Sequence, residues 1–136
     1  MAKVTYSSTK GLVVETGTGF QVNDVSVLEE IESVTGSTNV AATIAAHGIT
    51  QLTTFADGGA GATTVATVAD GAAAGALKTI VLAALGDAGD DVQIVGTSVA
   101  GVAASDLVGD NMTLVGDFAH LVWTGIGWAV VSETTT

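Results

Sequence analysis

Residues 112–132 read MTLVGDFAHLVWTGIGWAVVS and hold three of the six aromatic side chains in the chain, which has three Phe, two Trp and one Tyr. Apolar residues alternate on both sides of the loop TGIG (124–127), whose glycines can adopt the positive φ that short hairpin loops need. The pattern predicts a β-hairpin in which Trp123 lies opposite Trp128 and Leu121 lies opposite Val130. Such a cross-strand pair contributes about 0.2–1 kcal/mol relative to alanine.

The other face of this hairpin is apolar as well, because it carries Val122, Ala129 and Val131. Strands that are apolar on both faces need cover on both, from a second sheet or from another copy of the chain. We therefore assign five hairpin residues to the core or to a subunit interface, namely Phe118, Leu121, Trp123, Trp128 and Val130. An aromatic platform that binds a ligand is the alternative.

The composition favours one small, self-associating domain. The chain has 136 residues, of which 48% are hydrophobic and 12% charged, and its mean hydropathy is +0.58. No apolar run approaches the roughly 18 residues of a membrane helix. The start MAKVTYSSTKG also lacks the apolar core of a signal peptide, and we expect no membrane partner. Apolar surface in excess of what a monomer exposes indicates a homo-oligomer.

The charge balance excludes several classes of function. The net charge is −11, with only three cationic residues, all lysines. Nucleic-acid binding needs a cluster of cationic groups that neutralise phosphates, so we expect no nucleic-acid partner. The absence of cysteine excludes disulfides and thiolate zinc sites.

Residues 1–38 predict an extended N-terminal arm, because short apolar pieces are separated there by the turn-like stretches SSTKG and ETGTG. A short helix is predicted at about 24–34, where Val27, Ile31 and Val34 have helical spacing and Ser26 with Glu29 has the spacing of a capping box. A strand is the alternative for this segment, since its β-branched residues partly alternate with polar ones.

Residues 39–136 predict a β domain. Segments of strand length recur every 8–12 residues between Gly/Asp turns such as ADGG (56–59). This spacing is typical of an all-β, antiparallel sandwich or barrel, and we expect a jelly-roll-like arrangement.

No residue set with a catalytic pattern is found. His47 and His120 lack metal-type spacing and are interpreted as structural, although one histidine from each of three copies could bind a metal on a three-fold axis. The loop GDAGDD (86–91) is interpreted as a turn rather than a calcium loop, because it lacks the EF-hand order. The glycines of GTG (17–19) have no phosphate-binding context, and no G-x-S-x-G motif occurs. We expect no enzyme, no cofactor and no bound metal.

Four segments carry a resemblance to a known group of proteins: IAAHGITQL (44–52), ADGAAAGALKTIVL (69–82), LVGDNMTLVGD (107–117) and LVWTGIGWAVVS (121–132). Their order over residues 40–132 resembles small structural proteins of tailed bacteriophages, namely head-decoration (cement) proteins and short fibre domains. The shared pattern is an Ala-(aromatic or His)-Gly-Val/Ile-Thr strand, a Gly-x-x-Lys-Thr strand and a closing hairpin of the type Leu/Val-x-Trp-x-Gly-x-Gly-Trp-x-Val.

The resemblance implies a non-enzymatic virion protein, a homotrimer on the outer capsid surface whose partner is the major capsid protein. In that setting the arm contacts the shell and adds a strand to an exposed sheet edge; a frayed tail is the alternative. The arm residues expected to make this contact are Lys3, Tyr6, Lys10, Leu12, Val13 and Val14. A receptor-binding short fibre or spike domain and a non-viral self-assembling protein are the other functions consistent with the sequence.

Overall fold

The computed structural model describes residues 4–7, 11–14, 21–22, 25–26, 31–36, 42–54, 61–104 and 106–135. Within these ranges every regular element is a β-strand, so the chain is all-β, as predicted. Two short hairpins come first. β1 (Val4–Ser7) pairs antiparallel with β2 (Gly11–Val14), and β3 (Gln21–Val22) pairs antiparallel with β4 (Val25–Ser26).

The remaining strands form two larger sheets. The five-stranded sheet contains β5 (Ile31–Gly36), β7 (Gly48–Thr54), β9 (Leu77–Ala84), β12 (Phe118–Trp123) and β13 (Trp128–Thr134), in the order β13-β12-β9-β7-β5. The four-stranded sheet contains β6 (Ala42–Ile44), β8 (Thr63–Val68), β10 (Asp91–Thr97) and β11 (Ala103–Ala104), in the order β11-β10-β8-β6.

From β5 to β10 the chain alternates between the two sheets. β5, β7 and β9 pair in parallel in one sheet, and β6, β8 and β10 pair in parallel in the other. The strand pairs β5–β6, β7–β8 and β9–β10 are therefore three successive turns of a winding like that of a two-sheet β-solenoid. β11 and the β12–β13 hairpin then add antiparallel strands to the last turn.

The sheets are thus mixed, and the prediction of an antiparallel fold is wrong for the middle of the chain. Parallel neighbours need a crossover connection, and here a strand of the opposite sheet provides it. Alternation of apolar and polar residues identifies a strand but not the sheet to which the strand belongs. The prediction of the closing hairpin is correct, because its short loop joins two consecutive strands and therefore enforces an antiparallel pair.

The predicted helix at about 24–34 is also wrong, because β4 and β5 are strands. Exposure alternates along β5, with Ile31 exposed and Glu32 half-buried on opposite sides of the strand. The strand conformation gives the Glu32 carboxylate hydrogen-bond donors inside the protein. This tertiary contact overrides a weak helical spacing.

The inner faces of both large sheets supply one hydrophobic core. Its members are small or branched for the most part, and two tryptophans close it at one end. The buried core residues are Ala42, Ile44, Leu52, Ala66, Val68, Ala76, Ile80, Leu82, Val92, Ile94, Val108, Met112, Ala119, Leu121, Trp123 and Trp128.

Candidate interaction surfaces

The closing hairpin has the predicted register, with Trp123 opposite Trp128 and Leu121 opposite Val130. The two indole rings meet edge to face, with centroids 5.3 Å apart. Trp123, Trp128 and Leu121 are buried, whereas Val130 is 38% exposed. Phe118 is half-buried on the outer side of the sheet. The hairpin residues therefore divide between the core and an outer surface.

The tryptophans are held by the loop that connects β8 to β9. The indole N–H of Trp128 donates to the carbonyl of Ala69, and the amide of Gly75 donates to the carbonyl of Trp123. Gly71 lies so close to the Trp123 side chain that a Cβ at this position would overlap it. Neither indole is available as an exposed platform.

The arm residues are described only in part. Tyr6, Leu12, Val13 and Val14 lie in the β1–β2 hairpin, where Tyr6 is opposite Leu12. Lys3 and Lys10 lie outside the described residues.

Three loops meet at one end of the β domain, at which β8, β10 and β12 finish. They contribute residues 71–76, 98–102 and 124–127, and we call these residues the uncharged tip because none of them has a charged side chain. Gly127 is packed so closely against Ser98 that a Cβ would overlap its carbonyl, and a Cβ on Gly125 would contact Ala74 at 3.6 Å. Val99, Val102 and Ile126 are 48%, 60% and 62% exposed there, and Asp70 flanks the tip.

The loops at the opposite end of the strands, 85–90 and 109–117, are rich in aspartate, and we call them the acidic end. The buried Asp90 carboxylate accepts hydrogen bonds from the amides of Ala62 and Asp87, at 3.2 and 2.8 Å. The buried Asp117 carboxylate accepts from the amides of Thr113 and Leu114, both at 2.9 Å. Both carboxylates therefore close turns.

The outer face of the five-stranded sheet, hereafter the outer face, carries the side chains that point away from the core. Ile31 on β5 and Leu77 on β9 are 60% and 57% exposed, and they lie at the same end of the two strands that flank β7. The alternation and register assign sixteen residues to the face. They are Ile31, Ser33, Thr35, Ile49, Gln51, Thr53, Leu77, Thr79, Val81, Ala83, Phe118, His120, Val122, Ala129, Ser132 and Thr134, and none is Asp, Glu, Lys or Arg.

An ion pair between a buried lysine and a half-buried glutamate lies behind the outer face, and the sequence did not predict it. Lys78 Nζ is 3.6 Å from Glu32 Oε2, and it donates a hydrogen bond to the His47 carbonyl at 2.9 Å. The same Glu32 oxygen accepts from the Thr50 hydroxyl at 2.8 Å and from the Ala45 amide at 3.1 Å. The one signal in the sequence is a lysine inside an apolar strand, LKTIVLAA.

Two opposing effects act on the Glu32 carboxyl. Partial burial by itself raises the pKa of Glu32. The hydrogen bonds from Thr50 and Ala45, together with the positive charge of Lys78, outweigh burial and leave the pKa below its ordinary value of 4.5. The ionised carboxylate is thus the form that the folded protein favours.

The two histidines occupy different environments. The His120 ring is 4.9 Å from the Phe118 ring on the outer face, and its Nδ1 is hydrogen-bonded to the Thr79 hydroxyl at 3.0 Å. His47 contributes its backbone carbonyl to Lys78. Within the described ranges no group of three or more His, Cys, Asp or Glu is placed to hold a metal ion, and no helix there is long and apolar enough to cross a membrane.

Comparison with models of known protein families finds no matching family, and comparison with curated protein sequences finds no match.

Proposed function

We propose that this chain is a non-enzymatic structural protein of a bacteriophage virion. In this proposal it is a capsid decoration protein, made in the host cytoplasm, that binds the outer surface of the head as a homotrimer and stabilises the shell. Its partner is the major capsid protein. One observation carries the proposal: among the described residues of the β domain, the uncharged tip lies at one end of the strands and the acidic end lies at the other.

The tip has the properties of a surface that docks on another protein. Val99, Val102 and Ile126 are exposed, so their apolar surface leaves water when a partner covers them. No charged group within the tip has to be desolvated, which removes the largest cost of burying a loop. The three loops brace one another through Gly127 and Gly125, and a surface that is already ordered loses little entropy on binding.

β5, which lies within the predicted arm (1–38), begins at the same end as the tip. Ile31, the first residue of β5, pairs with Ile49, the second residue of β7, at the end where the tip loops are. In the proposal Lys3, Tyr6, Lys10, Leu12, Val13 and Val14 extend the contact with the shell, and the arm adds a strand to a capsid sheet edge.

Stabilisation of the shell follows from preferential binding. A trimer that bridges neighbouring capsid subunits binds the assembled shell and not the separated subunits. By mass action such binding shifts the equilibrium towards the assembled state. No chemical step is needed, in keeping with a chain whose buried carboxylates close turns and whose buried lysine is engaged in an ion pair.

Binding to DNA-free heads of the phage that carries the protein tests the proposal. Purified protein is mixed with heads, the heads are sedimented, and the bound protein is quantified. The double variant Val102→Asp/Ile126→Asp should lose binding. Leu114→Asp/Val115→Asp is the matched control, since these residues have similar exposure at the acidic end, 55% and 62% against 60% and 62%. A wild-type protein that stays in the supernatant would contradict the proposal.

The two rival functions give different results in simple experiments. A receptor-binding fibre or spike domain would adhere to host cells in the absence of heads. The hairpin tryptophans, which that rival would use to bind a polysaccharide, are both buried. A non-viral self-assembling protein would polymerise alone in solution.

A further inference from the structure

We propose that the outer face is the surface through which copies of this chain associate with one another. This inference rests on the proposed homotrimer and names its interface. In the trimer the uncharged tips of the three copies contact the shell, and the outer faces of their five-stranded sheets face the three-fold axis. The occupant of the face is therefore a second and a third copy of the same chain.

Charge is the first argument for this occupant. Each copy carries a net charge of −11, so that contact through most surfaces brings carboxylates together. The outer face has no acidic residue on any of its five strands, which makes it a surface that a second copy can approach without repulsion between close charges. A cationic partner would find no anionic group on it.

The apolar content of the face is the second argument. Ile31 and Leu77 are exposed by more than half, and Ile49, Val81, Phe118 and Val122 are half-buried beside them. The corresponding face of the four-stranded sheet has no exposed large apolar residue on its described side chains. It carries Asp91, Gln93 and four threonines, and its apolar residues are the half-buried Val65 and Val95. The two outer faces of one domain thus differ in the way that a contact surface differs from a solvated one.

The direction of the face is the third argument. The tip lies at the ends of the strands, whereas the outer face runs along them. A molecule that docks by its tip therefore presents this face sideways, towards neighbouring copies and not towards the shell.

The face supplies a part of the area that a stable interface needs. Five strands spaced about 4.8 Å apart and about 20 Å long give a face of roughly 480 Å² before its corrugation is counted. A standard interface takes about 800 Å² from each partner, and in a trimer the face is divided between two neighbours. The remainder would come from residues at the sheet edges, such as the exposed Val131 at the bulge of β13.

The experiment is the native mass of matched charge variants, measured by light scattering after size exclusion. Gln51→Glu/Leu77→Glu places two carboxylates on the outer face. Gln93→Glu/Thr67→Glu places two on the outer face of the other sheet and is the control. We expect wild type and control to have about three times the 13.3-kDa chain mass, and the outer-face variant to fall to the monomer mass.

A second measurement does not depend on the charge variant being folded. Because the chain has no cysteine, Gln51→Cys and Thr67→Cys each introduce a single thiol, and both positions are exposed in the single chain. In the oligomer, maleimide should react several-fold more slowly at position 51 than at position 67, and dilution to the monomer should remove the difference. Equal rates at the two positions would overturn the inference.

The other outcomes are equally decisive. A monomeric wild type, an outer-face variant that keeps the wild-type mass, or a control that dissociates to the same extent each overturns the inference. Head binding is measured on the same samples. If the wild type binds heads and the outer-face variant keeps the wild-type mass, only the proposed interface is contradicted. If the wild type forms an oligomer that never binds heads, only the decoration function is contradicted.

Discussion

The indole N–H of Trp128 donates a hydrogen bond to the carbonyl of Ala69 at 3.1 Å, across 59 positions of sequence. Trp128 begins β13 at the edge of the five-stranded sheet, and Ala69 directly follows β8 in the four-stranded sheet. Gly127, which directly precedes Trp128, packs against Ser98, which directly follows β10. The two sheets are thus joined at the uncharged tip by the closing hairpin.

Replacement of Trp128 should have a large effect on stability. Trp128→Ala removes a side chain that is 1% exposed, and we expect the free energy of unfolding to fall by about 3–5 kcal/mol. Denaturant unfolding followed by circular dichroism measures this. Ile126→Ala, on the adjacent loop at 62% exposure, should change it by less than about 0.5 kcal/mol. Equal stability of Trp128→Ala and wild type would mean that Trp128 is not a core residue in solution.

A methyl group at Gly127 should be poorly tolerated. The Cβ of Gly127→Ala would overlap the backbone carbonyl of Ser98, and a backbone atom cannot move aside as a flexible side chain does. Overpacking of this kind costs about 1–3 kcal/mol or more. Gly96→Ala is the control, because its Cβ would meet only ordinary contacts, the closest at 3.4 Å. Similar unfolding midpoints for the two variants would contradict the close packing of the tip loops.

Replacement of Asp90 tests the acidic end. Asp90→Asn exchanges one carboxylate oxygen for an NH₂ group that faces the amides of Ala62 or Asp87, and leaves a buried donor without an acceptor. We expect a loss of about 1–3 kcal/mol in unfolding free energy. Asp87→Asn removes a carboxylate from the same loop at a half-buried position and should cost less. The comparison fails if the two variants are equally stable.

The closing hairpin was predictable from sequence because its determinants are local. A four-residue loop with two glycines fixes the pairing, and alternation on each side then fixes the register of Trp123 with Trp128. The assignment of the β domain to the all-β class followed from the same local pattern repeated along the chain.

The winding between two sheets was not predictable in this way. Ile49 pairs with Thr79 and Ala66 with Ile94, and each pair is separated by a whole strand of the opposite sheet. Such a connection depends on tertiary contacts between residues that are distant in sequence. β5 was misassigned for a related reason, since its strand conformation depends on what Glu32 meets in the interior, namely Thr50 and Lys78.

The surfaces proposed for docking and self-association were likewise hidden in the sequence. Val102 and Ile126 belong to separate loops, and the absence of charge from the outer face appears only when five strands are placed in register. Composition predicted that apolar surface would be shared between copies, but it could not say which surface.

The ion pair behind the outer face should respond asymmetrically to removal of its two partners. Glu32→Gln removes the negative charge that lies 3.6 Å from the fully buried Lys78 ammonium, and we expect a loss of about 1–3 kcal/mol. Lys78→Met removes the buried charge and leaves a carboxylate that is 32% exposed and still bonded to Thr50, so it should cost less. The double variant should be more stable than Glu32→Gln alone. Additive effects in this cycle, measured by denaturant unfolding, would show that the two side chains do not interact.

The lowered pKa of Glu32 should give the protein a component of acid sensitivity. Because the folded state favours the ionised carboxylate more than the unfolded chain does, this contribution is fully present above the ordinary value of 4.5 and is lost as the pH falls through the lowered pKa of the folded state. We expect the difference in unfolding free energy between wild type and Glu32→Gln to shrink as the pH is lowered from 7 through this range. Glu133→Gln is the control, because Glu133 is exposed and its carboxylate meets the amide of Gly109 rather than a buried cation. A wild-type advantage over Glu32→Gln that stays constant down to acidic pH would show that the ionised carboxylate is not what holds β5 to its neighbours.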